Sequence, residues 1–116
     1  GGYLVIEPTE AMTVIDVNSG KNESKKIGEE TYYQVNAEAA EEVARQLRLR
    51  NLSGIIIVDF INMSEKENRQ KLLEYLKMLT AQDSQHPRIV DMTPLGLVEI
   101  TRKKSHPTLA EQWKKI

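Results

Sequence analysis

Ile55-Ile56-Ile57-Val58-Asp59-Phe60-Ile61 is a run of β-branched and aromatic residues with one acid set into it. Such residues favour an extended strand, and apolar side chains at odd and even positions alike predict a central strand covered on both faces. The acid is the anomaly. A carboxylate among these neighbours loses hydration on folding, and burying it ionised and alone is prohibitive, so it needs a partner. A hard divalent cation is the natural candidate.

Val14-Ile15-Asp16-Val17-Asn18 repeats the pattern earlier in the chain. The period of two places Met12, Val14, Asp16 and Asn18 on one face of a strand, so Asp16 and Asn18 point the same way at its end. If a helix separates the two strands, Asp16 and Asp59 can meet at one edge of one sheet and share Mg²⁺ in its all-oxygen octahedron. Asn18 is then a further ligand or an orienting group. Two close carboxylates each raise the other's pKa until a cation arrives, so metal should organise the site.

With 116 residues, the chain is expected to form one domain with one core. Lys plus Arg number 16 against 17 Asp plus Glu, a net charge of -1, which excludes a polycationic nucleic-acid binder. The absence of cysteine removes disulfides and thiolate metal sites. No apolar stretch approaches the roughly 20 residues of a membrane span, and Gly1-Gly2-Tyr3 does not open a signal peptide. A soluble, cytoplasmic protein is expected.

Two β-rich runs, residues 3 to 7 and 12 to 17, are joined by Pro8-Thr9-Glu10-Ala11, short enough for a hairpin. Residues 19 to 34 are polar and predict a long functional or disordered connection. A helix is expected from about Asn36 to Arg50, with Ala37, Ala40, Val43, Ala44 and Leu47 as its apolar stripe. Ser64 and Glu67 form a capping-box pattern opening a second helix to about Thr80. Short strands are expected near Arg88 to Met92 and Leu97 to Arg102, and His106-Pro107-Thr108 could start a last helix bearing Leu109 and Trp113. The sum is an α/β (α+β) fold with a mixed β-sheet of about four to five strands and two main helices.

Other chemistry is weaker. Ser19-Gly20-Lys21 lacks the Gly-rich spacing and the hydroxyl after Lys of a nucleotide loop, which excludes an NTPase. Lys21 could still reach a phosphate. His86 and His106 each precede a proline, with no nucleophile beside them, and read as surface residues. Arg45, Arg48 and Arg50 on the first helix and the basic end (Arg102, Lys103, Lys104, Lys114, Lys115) read either as solvated charge or as a phosphate track. The alternative function is therefore a non-catalytic structural or RNA-docking module.

The ordered set Val14 to Gly20, Asn36 to Arg50, Gly54 to Met63 and Pro94 to Arg102 resembles the catalytic subdomain of the ribonuclease E/G family. The resemblance implies a deoxyribonuclease I-like fold within a Mg²⁺-dependent endoribonuclease, with Mn²⁺ able to substitute. Such an enzyme cuts single-stranded RNA to leave a 5′ phosphate and a 3′ hydroxyl. It implies that Asp16 and Asp59 are metal-binding aspartates, that Asn18 is the assisting amide, and that Arg88 contacts an RNA 5′ monophosphate. Asn62 stands where family members often carry an acid. The family also implies a homo-oligomeric parent with S1-type and sensing domains before this subdomain and a cysteine zinc link after it. Zinc is thus not expected within these residues, which read as a single catalytic subdomain, 1–116, excised from a larger protein.

Overall fold

The computed structural model describes residues 2–18 and 29–104. Ser19, Gly20 and Lys21, and the stretch with His106, Leu109, Trp113, Lys114 and Lys115, lie outside the described residues. Strand β1 (Tyr3–Pro8) turns back into β2 (Met12–Asn18), followed by helix α1 (Glu29–Leu49), strand β3 (Gly54–Asp59), helix α2 (Lys66–Thr80), the short β4 (Arg88–Ile89) and β5 (Leu97–Arg102). The sheet is mixed, in the order β1-β2-β3-β5-β4. Among the described strands only β2 and β3 run parallel, as expected where a helix carries the chain back to the same end of the sheet. The mixed sheet with two helices is the architecture the sequence pattern predicts.

The hairpin is closed by Thr9, whose N–H and hydroxyl both donate to the Met12 carbonyl at 2.7 Å. Alternation then sorts the strand residues. Thr13 and Ile15 of β2, Ile56 and Val58 of β3, and Val98 and Ile100 of β5 are buried. The apolar ones form a single core with Ala39, Ala40, Val43 and Leu47 of α1 and Leu72, Leu73 and Leu76 of α2. Both helices therefore pack on one side of the sheet. The other side carries Val5, Asp16, Ile55, Asp59 and Leu97, and Ile55 is 40% exposed. This corrects the expectation of a strand covered on both faces. β3 is central in the sheet, but among the described residues only its Ile56 and Val58 face is covered.

Helix α1 starts about two turns earlier than the sequence pattern suggested, so residues 29–34 belong to it and not to the connection. The reason is packing. Tyr32 and Tyr33 continue the apolar stripe in helical spacing and rest against the core, and the Lys71 ammonium lies 5.1 Å from the Tyr33 ring centroid. At the other end Asn51 takes φ 49°, the Leu52 N–H bonds the Leu47 carbonyl at 3.0 Å, and the Asn51 N–H bonds that of Arg48 at 3.2 Å. This is a Schellman stop, with asparagine in the left-handed position usually given to glycine.

The capping box does not form. α2 begins at Lys66 with Glu65, not Ser64, at the N-cap position. Arg69 offers the reason: its guanidinium donates to the Met63 carbonyl at 2.7 Å and the Ser64 carbonyl at 3.1 Å, pinning the approach to the helix. β4 is also shorter than expected, because Thr93 draws the chain into the turn before β5 through its N–H to the Leu97 carbonyl at 2.9 Å.

A buried ion pair closes the far end. Arg102 donates through Nε to Asp83 at 2.8 Å, through Nη2 to Asp83 at 3.2 Å, and through Nη1 to the Asn51 side chain and the Leu52 carbonyl at 3.0 Å. Burial alone would push the Asp83 carboxyl up. Hydrogen bonds from Arg102 and the Gln85 N–H, with the charges of Arg102 and Arg48, outweigh it and hold the carboxyl below its ordinary range.

Candidate functional site

Strand register builds the site. In the parallel pair, Asp16 of β2 is the partner of Asp59 of β3, and both stand at the carboxyl ends of their strands, where open α/β sheets place ligands. Asn18 lies two residues on from Asp16 and faces the same way. The three polar side chains thus come together on the uncovered face. They do so because the helix core takes Ile15 and Val58, which leaves the residues beside them pointing outward.

The Asp59 carboxyl is held above its ordinary range, first by partial burial, then by a hydrogen bond with Asp16, and then by the charge of Asp16. Two acids that repel and share hydrogen bonding form a site that a cation relieves. The donor set is oxygen throughout, which suits Mg²⁺. Among the described residues no group of three or more His, Cys, Asp or Glu side chains could hold a metal. A two-carboxylate arrangement fits the habit of Mg²⁺ of taking one or two carboxylates and filling the remaining positions with water and phosphate oxygens.

Among the described residues, Arg88 is not brought here. Arg88 pairs with Thr101, which pairs in turn with Ile55, so Arg88 shares the open face with the acids. It stands two strands across and four residues back from Asp59, about 16 Å away by ideal sheet spacing. Lys21 lies outside the described residues. Asn62 is exposed and comes just after the strand that ends at Asp59.

The basic surface is smaller than the sequence suggested. Arg102 is buried against Asp83, because alternation along β5 turns it to the helix side, and it leaves the C-terminal track. Arg45 pairs with Glu42 at 3.1 Å, and Arg50 donates to Gln46 at 2.8 Å. α1 lies on the opposite side of the sheet from the acids. A groove of about 530 Å³ between β1 and α1, floored by Leu4, Ile6 and Val17, also belongs to that side. His86 is in a turn, with φ 47°.

The ribonuclease E/G family profile matches residues 1–105. The chain belongs to the ribonuclease E/G family. It is 49% identical over 111 residues to a ribonuclease E from Nostoc sp., covering 96% of this chain and 16% of that protein. It is 50% identical over 111 residues to a ribonuclease E from Synechocystis sp., with the same 96% and 16% coverage. To a ribonuclease G from Salmonella typhimurium it is 44% identical over 109 residues, 94% of this chain and 22% of that protein. The chain therefore spans about a fifth or less of the length of these relatives. Among the described residues no helix is long and apolar enough to cross a membrane.

One residue of the site's surroundings carried no sequence signal beyond its place in the first helix. Asn36 is fully buried, and its amide donates to the Ile61 carbonyl at 2.8 Å and accepts from the Ile61 N–H at 2.9 Å. An asparagine is unfavourable inside a helix and costly when buried without partners. That mismatch was the available clue.

Proposed function

We propose that this chain is the metal-binding, bond-cleaving part of a cytoplasmic endoribonuclease acting on single-stranded RNA. The observation that supports it is the register of Asp16 with Asp59 on an uncovered sheet face, within a chain of the ribonuclease E/G family. An exposed face suits a polymeric substrate, which must lie across the acids without entering a closed cavity.

Asp16 and Asp59 would hold Mg²⁺, with Mn²⁺ as a substitute. When bound, the cation supplies charge neutralisation at the phosphoryl oxygens and lowers the pKa of water. The protein's own contribution is positioning and fixed charge. β2 and β3 hold the two carboxylates at one height on the sheet. Asn18 lies beside Asp16, and its amide would donate to a phosphate oxygen and orient the group for in-line attack by water on phosphorus. The bond from phosphorus to the 3′ oxygen would break, leaving a 5′ phosphate and a 3′ hydroxyl. Arg88, farther along the same face, would contact an RNA 5′ phosphate. Further RNA-gripping surface would come from S1-type and sensing domains of a longer, homo-oligomeric parent.

The test is cleavage of a labelled single-stranded RNA by the parent protein with Mg²⁺ and with EDTA. Cleavage should need the cation and yield 5′-phosphate ends. Because metal assistance supplies several kcal/mol, Asp16→Asn or Asp59→Asn should slow it by at least about 100-fold. Equal rates in EDTA, or full activity in both variants, would overturn the proposal.

A further inference from the structure

Asp59 is the last residue of β3, so the regular sheet pairing ends at the very residue whose carboxylate must be held. The backbone just beyond it is gripped from two sides. On one side the buried Asn36 of α1 bonds both backbone groups of Ile61, at 2.8 and 2.9 Å. A neighbouring strand would make the same pair of bonds, supplied here by a side chain. On the other side the Phe60 N–H donates to the Gly96 carbonyl at 3.1 Å. Gly96 has φ +91°, and a Cβ there would fall 2.8 Å from the Phe60 carbonyl oxygen. The closeness of that approach explains glycine at the position.

We infer that Asn36 is a positioning residue for Asp59: its amide extends the hold on β3 past the sheet and fixes the carboxylate opposite Asp16. The inference rests on the reading of Asp16 and Asp59 as the cation pair. It deepens that reading by naming the residue that keeps the pair in register. Asn36 acts on Asp59 through the backbone of Phe60 and Ile61. Outer partners that orient metal ligands typically change metal affinity 10- to 100-fold when removed.

Two measurements on this chain test it, using Asn36→Ala, Gly96→Ala and the matched core variant Leu76→Ala. In the absence of metal, NMR order parameters of the Asp59, Phe60 and Ile61 amides should fall in Asn36→Ala and Gly96→Ala and stay at the wild-type level in Leu76→Ala. With Mn²⁺, affinity by electron paramagnetic resonance should weaken at least about tenfold in the first two variants and be unchanged in the third. Wild-type order parameters in Asn36→Ala overturn the inference, as does unaltered Mn²⁺ affinity when the wild-type ion broadens Asp16 and Asp59. If the wild type binds no ion at those residues, the proposed function fails. The order parameters then still decide whether Asn36 holds Asp59. If Asn36→Ala does not fold, Gly96→Ala, which disturbs the same segment from the opposite side, carries both measurements.

Discussion

The two faces of this sheet are made by the same strands and obey opposite rules. On the helix side, Ile15, Ile56, Val58, Val98 and Ile100 are buried in one apolar core, and the charged pair at its end, Arg102 with Asp83, is bidentate and further tied to Asn51 and Leu52. On the open side, two acidic side chains stand next to each other at Asp16 and Asp59, among part-exposed apolar residues such as Val5, Ile55 and Leu97. The first face pairs the charges it buries. The other holds two acids side by side, and burial together with Asp16 disfavours ionisation of Asp59. The first face holds the buried core and the second the proposed cation pair, with Asn36 tying the helix layer to the segment just beyond the strand that carries Asp59.

The largest effect should come from breaking the buried pair. Arg102→Met leaves Asp83 buried and without its cation, and should cost about 3–5 kcal/mol in urea denaturation at pH 7. Its pH dependence is diagnostic. Asp83 has a lowered folded pKa, so its stabilisation is complete above the unfolded value of about 4. It is lost as pH falls through the depressed folded value. In Arg102→Met burial becomes the dominant influence, and this loss on the acid side should disappear. Unchanged acid sensitivity would mean that the pair is not what the low-pH transition reports.

Smaller, and directly comparative, are two truncations one residue apart. Ile56→Ala, inside the core, should destabilise by about 2–5 kcal/mol. Ile55→Ala, on the open face and 40% exposed, should cost under about 1 kcal/mol. Equal losses would show that the second face is covered after all.

The smallest effect has the opposite sign. Asp59 has a raised folded pKa, so its contribution favours folding at low pH and turns into a cost as pH rises through the folded value. Asp59→Asn should therefore shift the urea midpoint slightly upward at pH 7 and not at pH 3, while Mn²⁺ affinity falls. A gain in stability alongside a loss of binding is the mark of a site held against its own electrostatics. A downward shift at pH 7 would contradict the repulsive reading of the open face.

Much of this arrangement was legible before the fold was known. Alternation in Met12 to Asn18 placed those side chains on the faces they occupy and put Asp16 beside Asn18. Leu97 to Arg102 was legible as a strand, but Arg102 looks from the sequence like part of the basic end and is buried. Four features were not legible, each for a tertiary reason. The run Ile55 to Val58 looks covered on both sides because its residues are uniformly apolar, and composition does not record whether a second layer exists. The early start of α1 is hidden by polar neighbours of Tyr32 and Tyr33, whose packing on the core outweighs local preference. The Arg102 and Asp83 pair joins residues 19 apart, and Asn36 and Ile61 are 25 apart, so neither link leaves a periodic trace.

If the open-face acids are a cation pair, a crystal of this chain grown with Mn²⁺ and measured at the manganese edge shows it most directly. The expected result is a single anomalous peak in contact with the carboxylates of both Asp16 and Asp59, with Asn18 facing it. A map with no peak there, and the two carboxyl groups still hydrogen-bonded to each other, would contradict it.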